Sequence, residues 1–388
     1  MEYKRLEEVC TLITDGTHQT PTYTDTGYIF LSSKNVTSGK IDWENVKYVS
    51  KELHEELSKR VIPKKNDILL AKNGTTGVAA IVDKDISFDI YVSLALLRPK
   101  EEINPKYLLR VINSQYTKRK FDKRLKGIGV KNLHLKEIKD ITIPIPSIEI
   151  QKRIVEVLDK AQSLIDKKKE QIELLDELVK SRFIEMFGNP ISNSKLWKKE
   201  ELGEICDVRD GTHDSPKYVN DGYPLITSKN ITNGKIDFEN VNLISKEDLE
   251  NINKRSKVDN GDIIMPMIGT IGNPIIVNTN IEFAIKNVAL IKFKEERVNN
   301  IFIKSLLESD YFEILISKNK RGGTQKFISL GNIRKLEIIL PPIELQNEFA
   351  EFVEQTDSIR SKMEASLSEL EDNFNSLMQK AFKGELFN

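Results

Sequence analysis

The sequence predicts an α+β protein: two duplicated mixed α/β domains separated by two long antiparallel coiled-coil-like helices, with pseudo-two-fold symmetry. Three observations predict it. The chain repeats itself at a large offset, each copy pairs short strand-like runs with a long proline-free stretch, and 388 residues exceed what a single ordinary core accommodates.

The repeat comes first. Asp15-Gly16-Thr17-His18 recurs as Asp210-Gly211-Thr212-His213, and Ser33-Lys34-Asn35-Val36-Thr37 as Ser228-Lys229-Asn230-Ile231-Thr232. The same offset carries Gly39 to Val46 onto Gly234 to Val241, Asp67 onto Asp262, Ile148-Glu149-Ile150-Gln151 onto Ile343-Glu344-Leu345-Gln346 and Phe187 onto Phe382. A unit this long is a duplicated module with its own core, since solenoid repeats span only about 20 to 50 residues.

Within each copy, runs such as Asp67-Ile68-Leu69-Leu70 and Ser93-Leu94-Ala95-Leu96-Leu97, punctuated by Gly, Asn and Asp, read as strands of a mixed globule. Ile143-Pro144-Ile145-Pro146 and Leu340-Pro341-Pro342 close the globules, because proline suits neither a helix interior nor a central strand. Helices follow from Glu149 to Phe187 and from Glu344 to Phe387, free of Pro and, before Gly384, of Gly. About 39 residues make roughly 58 Å of helix, too long to pack only on one small globule. The second helix carries a heptad-like seam of Phe349, Phe352, Thr356, Ile359, Met363, Ser366 and Leu370, and the first a broader stripe that includes Ile154, Leu158, Leu164, Ile165, Leu178 and Val179. The division is 1–146, first domain; 147–190, central helix; 191–341, second domain; 342–388, C-terminal helix.

Composition excludes several classes. Lys plus Arg number 59 and Asp plus Glu number 59, so any polyanion must meet a local patch. Two cysteines, no apolar run near 18 residues and no apolar signal segment at the N-terminus predict a cytoplasmic, reduced protein. No phosphate loop, no Gly-x-Gly-x-x-Gly turn and no Asn-Pro-Pro-aromatic tetrapeptide stand in the chain. A single Glu137-Ile138-Lys139 triplet does not make a nuclease. Cys10 with His18 and Cys206 with His213 supply at most two ligands per copy, short of what zinc requires. No catalytic residue, no metal and no cofactor are expected.

Charge points to nucleic acid. Lys118, Arg119, Lys120, Lys123, Arg124, Lys126 and Lys131 cluster in the first copy, and Lys318, Lys320, Arg321 and Lys326 occupy the matching place in the second. Such patches contact phosphate. Asn132 and Gln325 have the amide geometry for adenine, Lys131 and Lys326 the donors for guanine. Lys34-Asn35 and Lys229-Asn230 suit base contact chemically, yet their preservation between copies also fits a shared backbone role. The second helix is acidic and suits a protein partner.

The junction Ile143 to Gln151, its counterpart Pro341 to Gln346, the central Met186-Phe187-Gly188-Asn189-Pro190 and the terminal Ala381 to Phe387 resemble the conserved regions of type I restriction-modification DNA-specificity subunits. The resemblance covers essentially the whole chain. It implies two target-recognition domains, each reading half of a bipartite double-stranded DNA target, and helices that set the gap. It also implies two docked adenine methyltransferase (modification) subunits, optional restriction/translocase subunits, and S-adenosylmethionine, ATP and magnesium bound by those partners. A bivalent DNA-binding regulator without a methyltransferase is the rival reading.

Overall fold

A computed structural model describes residues 2–37, 39–125, 132–232, 234–268, 271–293, 297–318 and 328–387. The chain forms two compact units, one of Met1–Lys169 with Ala365–Asn388, the other of Glu170–Glu364. Each unit takes in half of each long helix.

In the first unit four antiparallel strands lie in the order Cys10–Asp15, Leu94–Pro99, Ile68–Ala71, Ala79–Ile81. Ile68–Ala71 is buried on both faces, which is why it reads as a continuous apolar run. A smaller sheet sets Tyr28–Leu31 between Lys47–Val49 and Phe88–Ile90, the last pair parallel. Glu2–Arg5 pairs antiparallel with Thr142–Ile145, so Pro144 sits in a two-stranded ribbon, where its missing N–H is tolerated. The second unit repeats the plan with Asp207–Asp210, Val288–Lys292, Ile263–Pro266 and Ile275–Ile276, and with Lys198–Glu201 against Glu337–Leu340.

The long helices run Ile148–Phe187 and Ile343–Lys383. In the first unit Ala381 and Phe382 join Ile154, Leu158 and Tyr107 in the core, while Lys169 pairs with Glu371 at 2.7 Å, so the two helix stretches there are antiparallel. In the second unit Phe183 and Phe187 pack with Phe302 and Phe349, ring centroids 4.8 to 5.7 Å apart, and Arg360 pairs with Asp176 at 2.7 Å. Again the stretches are antiparallel.

Two details of the helix expectation are corrected. Ile359 in the expected seam, and Leu164 and Leu178 in the stripe, are exposed, and the half-buried Arg360 takes the contact beside Ile359. The second helix stops at Lys383 rather than Phe387. Gly384, with φ +82°, turns the chain back so that Glu385 N–H donates to Lys380 O at 2.8 Å.

Both helices are fastened at their starts by a buried glutamine. Gln151 accepts the Asn104 N–H at 2.8 Å and donates to Pro146 O at 2.9 Å and Glu102 O at 3.3 Å. Gln346 makes the same three bonds to Asn299, Pro341 and Arg297. The junction motif is thus a clamp between globule and helix. Among the described residues no helix is long and apolar enough to cross a membrane.

Candidate nucleic-acid interface

The Asp-Gly-Thr-His segments form the base of the candidate surface. Asp15 ends a core strand, is buried, and accepts from Lys72 Nζ at 2.7 Å and Arg60 Nη2 at 2.6 Å. Burial pushes its carboxyl up, but the Lys72 hydrogen bond and the charges of Lys72, His18 and Arg60 outweigh this and leave it below its ordinary value. Asp210 is held by Arg255 and by His213 Nε2 at 2.9 Å; Met267 stands where the first copy has Lys72. Hydrogen bonds to Asn287 and Asp210 raise the His213 imidazole. Glycine is required next in line: a Cβ on Gly16 would lie 1.8 Å from Ile90 O, and on Gly211 2.1 Å from Ile285 O. The following residue then bonds across, Thr17 N–H to Ile90 O at 3.1 Å and Thr212 N–H to Ile285 O at 3.0 Å.

Lys34 and Lys229 are exposed, whereas Asn35 and Asn230 are buried. Asn35 Oδ1 accepts the Ser32 N–H at 2.9 Å and its amide donates to Asn45 O at 3.0 Å. Asn230 repeats this with Thr227 at 3.0 Å and Asn240 at 2.9 Å. These amides bond within their own loops and orient the lysine beside them.

The described residues that follow the two basic runs are tied to the core at equivalent points. Leu133 N–H donates to Lys72 O at 2.9 Å, and Ile328 N–H to Met267 O at 3.0 Å. In the helix Gln115–Asp122, Lys118 and Arg119 are exposed, as is Lys123 just beyond it, and none has an ion pair among the described residues. Lys120 and Arg124 are engaged: Lys120 Nζ donates to Tyr116 Oη at 2.6 Å and Thr142 O at 2.7 Å, and Arg124 to Glu137 O at 3.2 Å. Asn132 is half-buried, its Oδ1 without a hydrogen-bond partner among the described residues. Lys126, Lys131, Lys320, Arg321, Gln325 and Lys326 lie outside the described residues, and Lys318 ends a helix that is described by its backbone.

Sequence reasoning missed Lys72, a buried cation in a run that reads as apolar strand followed by turn. It also missed the buried pair of His54 Nδ1 and Asp89 Oδ2, 2.8 Å apart, with Tyr28 stacked on the imidazole. Burial pushes the Asp89 carboxyl up, against the opposing pull of His54. The second copy has Leu249 and Ala284 at those places, so only a comparison of the copies signals the pair. Cys10 is buried and its thiol pushed up to about 12. No group of three metal-ligating side chains occurs among the described residues. What the surface offers is hydrogen-bond donors, cations and hydroxyls on a helix and on turns beside the core sheet, suited to holding a polyanion.

A family model described as Type I restriction modification DNA specificity domain matches residues 1–175 and 194–372. The MjaVIII type I restriction enzyme specificity subunit of Methanocaldococcus jannaschii is 28% identical over 323 residues, 78% of this chain and 75% of that protein. The EcoKI specificity subunit of Escherichia coli is 24% identical over 400 residues, 92% of this chain and 82% of that protein. Among solved structures, a type I restriction-modification S subunit from M. genitalium superposes with a TM-score of 0.52 at 16% identity, covering 98% of this chain and 96% of that one. A chain from a structure of the assembly and conformational transition of a type I R-M system superposes with a TM-score of 0.59 at 17% identity, covering 99% and 98%. The structural likenesses show the fold.

Proposed function

Because this chain belongs to the type I restriction modification DNA specificity family, we propose that it reads a bipartite DNA target, one half-site per domain, and directs partner subunits to it. The observation that carries this is the duplication of one surface. The family model matches both copies, and in both the described residue that follows the basic run donates its N–H to an equivalent main-chain carbonyl, Leu133 to Lys72 and Ile328 to Met267. Lys118, Arg119 and Lys123 contact phosphate, and the basic loops with Asn132 and Gln325 reach base edges. Exposed Leu174, Leu178 and Ile184 on the first long helix and Ile359 on the second are apolar groups suited to protein partners. Those partners are two adenine methyltransferase subunits, joined in some assemblies by restriction subunits. S-adenosylmethionine, ATP and magnesium belong to them. The long helices set the number of base pairs between the half-sites.

Mapping methylated adenines in cells with and without this chain tests the reading. The expected result is one bipartite motif that disappears when the chain is removed. Methylation that persists unchanged without it would overturn the assignment.

A further inference from the structure

Equivalent main-chain bonds give the two units one frame, on which a changed side chain stands out. Tyr91 N–H donates to Leu31 O at 2.8 Å and Lys286 N–H to Ile226 O at 2.9 Å; Thr17 bridges to Tyr91 as Thr212 bridges to Lys286. The two residues therefore hold the same position. Tyr91 Oη lies 3.3 Å from Thr20 Oγ1, and Lys286 Nζ donates to Ser215 Oγ, the hydroxyl that stands in the second copy where Thr20 stands in the first. Both side chains are half-buried at the edge of the Asp-Gly-Thr-His loop, whose His18 and His213 side chains are each 63% exposed. In the first unit Lys72, whose N–H donates to Ser93 O at 2.8 Å, also accepts the N–H of Leu133, the residue just past the basic run.

The residues that hold this frame, Asp15, Gly16 and Asn35, are identical in the other copy as Asp210, Gly211 and Asn230. Position 91/286 is different: the backbone is kept, a hydroxyl steadies the tip in both, and the tip changes from a neutral phenol to a cation. The Tyr91 ring packs beside Phe30, centroids 6.1 Å apart, where the second copy has Leu225, so the ring has a packing role; the change in tip chemistry at the edge of the loop is what two domains that read different half-sites would use. We infer that this position determines specificity, Lys286 selecting a guanine in its half-site and Tyr91 meeting a base in the other without demanding that pair of acceptors. An ammonium group only donates, and guanine presents O6 and N7 together on its major-groove edge; a phenol hydroxyl both donates and accepts. The inference rests on the DNA-specificity reading above.

The test is a methylated-adenine map of cells carrying the full chain with its natural partners. K286Y is expected to lose the preference for one guanine in one half-site by roughly 5- to 150-fold, with the other half-site and the spacing unchanged. K286R keeps that guanine, and Y91K alters only the other half-site. An unchanged motif in K286Y, or equal degradation of both half-sites, overturns the inference. Should K286Y abolish methylation, K286R decides: guanine retained supports the assignment and guanine lost overturns it. A bipartite motif that is absent even with the unaltered chain is a separate result, and it sinks the specificity reading itself.

Discussion

Asp15 lies buried between Lys72 and Arg60, and the copies show what each partner contributes. Asp210 keeps Arg255 and His213 but has Met267 in place of the lysine, so a methionine is compatible with this site. K72M is therefore expected to cost under about 2 kcal/mol. D15N instead strands the Lys72 ammonium, 6% exposed, and is expected to cost about 3 to 5 kcal/mol. Chemical denaturation of the two variants checks the order, and equal losses would show that the lysine matters as much as the acid. The pH dependence has a defined sign. The folded carboxyl is held below its ordinary value, so its contribution is complete at neutral pH and is lost as the pH falls below about 4, through the folded value. D15N removes that part of the acid sensitivity. The sequence marked Asp15 by its recurrence, but not the lysine brought to it from the end of Ile68–Ala71, across the intervening strand Leu94–Pro99.

At the scale of elements, the helix Gln115–Asp122 sorts its own charges. Its Ser114 cap accepts the Thr117 N–H at 3.3 Å, and Thr117 and Phe121 face the core, so Lys118 and Arg119 must face outward. Lys120 and Arg124 bend back onto main-chain carbonyls. Ala at Lys118, Arg119 and Lys123 together is expected to weaken binding to all DNA sequences alike and to flatten the salt dependence by about 0.9 unit of slope for each phosphate no longer neutralised. Ala at Lys120 and Arg124 lowers stability instead. Binding isotherms at several salt concentrations separate the two sets, and a slope unchanged by the first set would place the patch away from DNA. The run of basic residues was legible in the sequence. Its division into outward and inward members was not, because that depends on carbonyls at Thr142 and Glu137.

For the molecule as a whole, the long helices are the elements through which the proposed function sets distance. Inserting one heptad into each at matching depth, within Glu156 to Val179 and Glu351 to Phe374, preserves a seven-residue seam and lengthens each helix by about 10.5 Å. At about 3.4 Å per base pair this corresponds to roughly three base pairs, with about 100° of added DNA twist. The expected motif keeps both half-sites and widens the gap by one to four base pairs. An active variant with its original gap would show that the helices do not measure it.

The repeat, the strand runs and the long proline-free helices were legible because they rest on local signals: recurrence, apolar periodicity and the backbone limits of proline and glycine. The recurrence of Asn35 and Asn230 already fitted a shared backbone role, and that of Gln151 and Gln346 marked a junction, but the bonds that make them braces were not legible, since a side-chain amide reveals its partners only when folding supplies them. Which leucines of the helix stripe stay exposed, and which cations of the basic run are free to meet phosphate, were likewise decided by tertiary packing. Burial and hydrogen bonding join residues distant in the chain, and a periodic pattern records only neighbours along it.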